Sequence, residues 1–231
     1  MTDPVRDLTT LDQATARLLT VAGTLDDAAL AEPSLLPGWT RGHVLSHLAR
    51  NADALLNVLA GRPMYASAEA RDADIEAGAA QPADALAEDV RASGAKLATA
   101  LSEVTDWDAV VELRNGVTDR LGRIPFRRLV EVELHQVDLG AGRTLENLSP
   151  EFTDAENAFL ADRFTGHPDV PPLLLRPEGS PVLTSGRAAS PGEEPLTVSG
   201  PPADLLGWLA GRRAPDGLKT DGGALPALPP L

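Results

Sequence analysis

The stretch best suited to chemistry spans residues 127–138, with the sequence RRLVEVELHQVD. Four ionisable side chains in it are spaced three or four residues apart, so a helix would place them in one stripe. These residues are Arg127, Glu131, His135 and Asp138. An apolar stripe of valine and leucine runs beside them, which indicates that polar atoms point toward the edge of a core.

Glu131 and His135 have the spacing of two metal ligands on one helix, and a site would need a further ligand from another helix. The alternative is an ordinary solvated pair of carboxylate and imidazole one helical turn apart. A second stretch, LPGWTRGHVLSHLARNAD over residues 36–53, offers His43 and His47. The residues alone leave the choice between these two histidines open.

The composition excludes several classes of function. The 34 acidic and 20 basic residues give a net charge of -14, which repels phosphate backbones and anionic membranes, so nucleic acid is not an expected partner. The chain has no cysteine, which excludes disulfides, thiolate metal sites and a protein thiol nucleophile. It also has no apolar window of about 18 residues. Its N-terminus, MTDPV, lacks a secretory signal, so we expect a cytoplasmic protein without a membrane partner.

Hydrophobic periodicity in the first two thirds of the chain predicts a helical bundle. Four long amphipathic helices are expected near residues 5–23, 40–60, 82–105 and 125–139. A short helix or ordered loop capped by Ser67 is expected between the second and third of them. Residues 107–124 suggest a hairpin that turns at Asn115-Gly116.

The character of the sequence changes after Ser149, where proline and glycine become frequent. We expect one more helix over residues 152–164, and then three short strands and a helix near residues 203–209. The strand-sized apolar runs are Leu173–Leu175, Val182–Thr184 and Leu196–Val198. This region is interpreted as a small α/β domain, with a tail from Gly222 that is extended or disordered.

Several segments together resemble the mycothiol-dependent maleylpyruvate isomerases, in order and over nearly the whole chain. They are residues 39–53, Tyr65, Arg71, residues 75–79, EVELHQVDL at 131–139 and VSGPPADLLGWLAGR at 198–212. The resemblance implies an α+β protein. Residues 1–148 would form a DinB-like four-helix bundle that binds metal, and residues 149–231 a smaller α/β domain with an extended tail.

The resemblance also implies a metal centre and a reaction. His47, Glu131 and His135 correspond to the family's ligands for a divalent metal, usually zinc. Two imidazoles and one carboxylate leave a coordination position open, as in catalytic zinc sites. The family isomerises maleylpyruvate to fumarylpyruvate in gentisate breakdown with mycothiol as the cofactor. We expect the thiolate held by the metal to add to the double bond, allow rotation and leave again.

A dicarboxylate substrate predicts arginine side chains near the metal. Arg212 is the first candidate, as a catalytic and substrate-binding residue, and Arg71 is the second substrate-binding candidate. The alternative for either is a solvated arginine. Asp138 would orient His135 or form a salt bridge at the helix end, and His43 is expected to serve packing or capping.

Two other functions remain open at this level. A metal-dependent mycothiol S-transferase would share the site but would release a thiol adduct instead of returning the thiol. A non-catalytic binding protein could also use the same bundle. The S-transferase would differ from the isomerase in its product, and the binding protein would form no product.

Overall fold

The computed structural model describes residues 3–230, and the chain divides into two compact units, Met1–Arg143 and Thr144–Leu231. The first unit is mostly helical and the second contains a small sheet with helices, so the predicted α+β class is confirmed. No helix within residues 3–230 is long and apolar enough to cross a membrane. The assignment of domain roles to residues 1–148 and 149–231 stays a prediction.

The first unit is built around four long helices. In chain order its elements are α1 (Pro4–Ala22), α2 (Asp27–Ala31), α3 (Arg41–Leu59), α4 (Ala68–Ala79), α5 (Ala83–Ser102), β1 (Val110–Glu112), β2 (Thr118–Arg120) and α6 (Ile124–Asp138). Helix α3 packs against α5 and α6, and α1 packs against the same two helices. The apolar stripes predicted from the sequence face this shared interior.

Helix α3 begins at a capping box in which Thr40 and His43 satisfy each other's backbone N–H groups. The Nε2 atom of His43 also lies 2.9 Å from a carboxylate oxygen of Glu76 on α4. The prediction that His43 serves capping is therefore confirmed. Because a cap fixes the start of the helix, it also fixes which later side chains of α3 point inward.

Helix α4 lies unusually close to α3 at Gly78. A Cβ atom at this position would come within 2.2 Å of the Ser46 hydroxyl oxygen, so only glycine fits without a shift. That hydroxyl donates a hydrogen bond of 2.8 Å to the carbonyl of Ile75. This close approach holds Arg71, on the same helix, beside the middle of α3.

The excursion between α5 and α6 is the predicted hairpin. Strands β1 and β2 pair antiparallel, and Asn115 and Gly116 at the turn both have positive φ, at 61° and 71°. Two predicted details were wrong: α5 ends at Ser102 instead of near Thr105, and α2 was not predicted. Helix α2 has only five residues, too few for a hydrophobic period to be read.

The second unit contains α7 (Pro150–Phe164), β3 (Leu173–Pro177), β4 (Leu183–Ser185), β5 (Leu196–Gly200), α8 (Pro202–Leu209) and β6 (Lys219–Thr220). Its sheet has the order β4-β3-β5-β6, with β3 and β5 parallel and both outer pairs antiparallel. Helix α7 packs on α8 and β4. Residues 224–230 form no regular element, although Leu225 and Leu228 are half-buried.

Candidate functional site

One cluster of potential metal ligands lies in the first unit between α3 and α6. The donor atoms of His47, Glu131 and His135 all lie within 4.8 Å of one another, and residues 3–230 contain no second cluster of this kind. The Nε2 atoms of His47 and His135 lie 2.9 and 3.3 Å from the same carboxylate oxygen of Glu131. The two separate helices thus bring together the three residues that the sequence suggested.

The electrostatics of the cluster follow from burial and mutual hydrogen bonding. Burial lowers the pKa of His47, against the opposing hydrogen bond from Glu131. Burial would raise the pKa of Glu131, but its hydrogen bonds with His135 and His47 hold that pKa well below the ordinary value. These shifts favour an ionised Glu131 and a neutral His47, which are the protonation states that metal ligation requires of these two residues.

Asp138 lies behind His135. Its Oδ2 accepts a hydrogen bond from Nδ1 of His135 at 2.8 Å, and the aspartate is almost fully buried. Burial alone would lower the pKa of His135, but the hydrogen bonds with Asp138 and Glu131 raise it overall. A proton held on Nδ1 leaves Nε2 directed at the cluster. This is the usual arrangement by which a carboxylate orients a metal-binding histidine.

We predict that Asp138→Asn weakens zinc binding by about 10- to 100-fold, because an amide is a weaker and less selective partner for Nδ1. The measurement is a competition titration with a chromogenic chelator. Asp53→Asn makes the same chemical change on α3 at a carboxylate that pairs with Arg50. An equal loss of affinity in both variants would contradict an orienting role for Asp138.

Arg71 and two aromatic rings border the cluster. The Nη2 atom of Arg71 lies 3.4 Å from Nδ1 of His47, and its guanidinium carbon lies 5.8 Å from the ring centroid of Tyr65. The ring of Trp39 packs 5.5 Å from that of His47. Burial raises the pKa of Tyr65, against the opposing charge of Arg71. Arg71 is therefore placed where a small anion near the cluster would meet it.

The side-chain positions of the two adjacent arginines of α6 differ from those that the predicted polar stripe suggested. Arg127 shares the helix face of Glu131, but its guanidinium forms an ion pair of 2.6 Å with Asp119 of the hairpin. Arg128 is the buried one, and it donates a hydrogen bond of 2.8 Å to the side chain of Asn51. Burial lowers the pKa of Arg128 to about 10. In the sequence, Arg128 lies three residues before Glu131, and this helical spacing could have indicated that Arg128 lies next to the cluster.

Arg212 lies in the second unit, directly after α8. It is half-buried, and its Nη1 donates to the carbonyl of Ala210 at 3.1 Å. The neighbouring Arg213 pairs with Asp204 and with Glu146. The expected role of Arg212 toward a substrate stays a prediction.

Both units match known family models. Residues 11–140 match the mycothiol maleylpyruvate isomerase N-terminal domain, and residues 147–230 match the MDMPI C-terminal domain. No curated protein matched the chain. The two models together account for nearly the whole sequence.

Two solved structures have the same fold. The crystal structure of the mycothiol-dependent maleylpyruvate isomerase is 30% identical in sequence, with a TM-score of 0.87 over 99% of this chain and 97% of that chain. The crystal structure of a histidine-to-alanine mutant of such an isomerase is 29% identical, with the same TM-score and the same coverage. The chain therefore belongs to the mycothiol maleylpyruvate isomerase family.

Proposed function

We propose that this protein is a metal-dependent, mycothiol-using cis–trans isomerase that converts maleylpyruvate to fumarylpyruvate in the breakdown of gentisate. The observation that carries the proposal is the cluster of His47, Glu131 and His135 in a member of this family. About a third of the Glu131 side chain is exposed, so small molecules can reach the cluster from solvent. Family membership supports the substrate and the thiol, and the cluster supports the metal.

The donor set fits a divalent cation, and zinc is the proposed one. Two imidazole nitrogens and one carboxylate oxygen are the ligands of many catalytic zinc sites, which keep a further position open. When bound there, zinc supplies a position at which a coordinated thiol is deprotonated at neutral pH. The chain has no cysteine, so the thiol must come from a small molecule.

The side chains around the cluster control protons and orientation. Asp138 keeps a proton on Nδ1 of His135, so that its Nε2 is free to act as a ligand. His47 now donates from Nε2 to Glu131, and its Nδ1 faces a donor of Arg71. If His47 uses Nε2 as a ligand, its proton moves to Nδ1, and two donors then face each other.

Nη1 of Arg71 already donates to Asp72 at 2.6 Å, and its Nη2 would consequently turn from His47 toward another acceptor. A carboxylate of the substrate is the acceptor we propose, because hydrogen bonds between a guanidinium and a carboxylate are stronger than those between neutral groups. Arg212 is the proposed partner for the developing negative charge or the second carboxylate of the substrate. Trp39 covers one side of His47 and keeps water from that side of the imidazole.

The decisive experiment is an assay of the zinc-loaded protein with maleylpyruvate and mycothiol. We expect fumarylpyruvate to form over many turnovers while the concentration of free thiol stays constant, and we expect no enzymatic rate without thiol. Consumption of one thiol per substrate would instead identify an S-transferase. The absence of turnover with both ligands bound would identify a binding protein.

A further inference from the structure

A groove lies beside the candidate metal centre, within the first unit. Its volume is about 530 Å³, and its walls are the segment that follows α3 and the hairpin formed by β1 and β2. Polar side chains from both walls face it. They include Arg62, Tyr65, Ser67, Glu112, Arg114 and Asn115.

Tyr65 connects this groove to the cluster. It lines the groove, and its ring lies against the guanidinium of Arg71, which in turn lies 3.4 Å from Nδ1 of His47. The charge of Glu131 also acts on the Tyr65 hydroxyl. The inner end of the groove is therefore separated from the cluster by one tyrosine and one arginine.

The lining of the groove offers both hydrogen-bond donors and acceptors, which suits a ligand rich in hydroxyl groups. Glu112 accepts hydrogen bonds and Arg114 donates them, and the two are exposed on the same hairpin. Hydroxyl groups can satisfy both, since each one donates and accepts. Arg62 is held in position by two hydrogen bonds to the Asn57 side chain, at 3.1 and 2.9 Å.

Building on the proposed function, we propose that this groove binds the sugar and inositol portion of mycothiol. Mycothiol carries its thiol on an acetylated cysteine that is joined to glucosamine and inositol, so most of its surface consists of hydroxyl groups. The cysteinyl arm would pass Tyr65 and bring the sulfur to the cluster. The groove volume lies within the usual range for sites that bind ligands of this size, about 300–1,000 Å³.

The test compares two thiols by isothermal titration calorimetry of the zinc-loaded protein. We expect the double variant Glu112→Ala/Arg114→Ala to bind mycothiol about tenfold or more weakly, because it loses hydrogen bonds to charged groups. N-acetylcysteine lacks the sugar and inositol, so its affinity should be equal in wild type and variant. Arg120→Ala is the control, since Arg120 is exposed on the same hairpin, pairs with Asp108 and does not line the groove.

The outcomes separate this inference from the proposed function. Unchanged mycothiol affinity in the double variant, with normal binding by wild type, would overturn the groove assignment alone. Equal affinity of wild type for mycothiol and N-acetylcysteine would also overturn it, because the sugar and inositol would then contribute nothing. If wild type binds no mycothiol at all, the proposed function fails together with the groove.

Discussion

Replacing His47 with alanine is expected to reduce bound zinc from about one ion per chain to nearly none and to abolish isomerase turnover. The variant keeps only Glu131 and His135, which lie on a single helix and leave the α3 side of the cluster empty of donors. A metal that activates the nucleophile supplies several kcal/mol of transition-state stabilisation, so the rate should fall by at least about 10³-fold. Metal analysis and steady-state kinetics measure the two effects.

His43→Ala is the matched control because it removes an imidazole from the same helix one turn earlier. His43 interacts with Thr40 and Glu76 instead of the cluster. We expect the free energy of unfolding of the His43→Ala variant to fall by about 1 kcal/mol, as for other helix caps, and we expect the variant to keep its zinc. Retention of zinc and activity by His47→Ala, or their loss from His43→Ala, would contradict the assignment.

The spacing of residues in α6 was enough to predict two of the three residues of the cluster. Glu131 and His135 are four residues apart on a helix with a clear apolar stripe, so their shared face follows from helical geometry. The partner on α3 did not follow in the same way, because His43 and His47 are themselves one turn apart and share a face. The capping box at Thr40 distinguishes the two histidines, because the His43 side chain is bonded to the start of the helix and is not available to the cluster.

Other features depend on contacts between distant parts of the chain. Arg127 shares the predicted stripe, but Asp119 of the hairpin draws its guanidinium away, and this pairing depends on where the hairpin folds back. Strand β6 has two residues and was missed, because it exists only through its pairing with β5. Local periodicity contains no information about either contact.

Arg128 and Asn51 form a layer next to the cluster, one helical turn along both α3 and α6. The described contacts of Arg128 pair it with an amide instead of a carboxylate, although a buried charge is costly without an opposite charge. Glu131 is the first of the charges that stabilise this guanidinium against its burial. The charge of Glu131 therefore helps Arg128 to remain charged beside the candidate metal centre.

Replacing Glu133 with alanine is expected to cause the largest loss of stability. Glu133 is buried on α6, where it accepts hydrogen bonds from Arg17 of α1 at 2.7 Å and from Arg143 at 2.6 Å. Removing one partner from a buried ionic group costs about 3–5 kcal/mol, and the partial exposure of Arg17 favours the lower end. A loss of about 3 kcal/mol corresponds to a decrease in Tm of about 10 °C, which calorimetry can measure.

The loss of stability in Glu133→Ala should occur without a loss of zinc binding. Glu133 lies two residues after Glu131, so it faces the opposite side of α6, and well below its Tm the variant should bind zinc like wild type. Glu88→Ala is the control, since it removes a carboxylate from an exposed ion pair with Arg91 and should leave Tm unchanged. An unchanged Tm for Glu133→Ala would show that these ion pairs do not hold α1 against α6. Loss of zinc from the folded variant would show that the two faces of α6 are coupled.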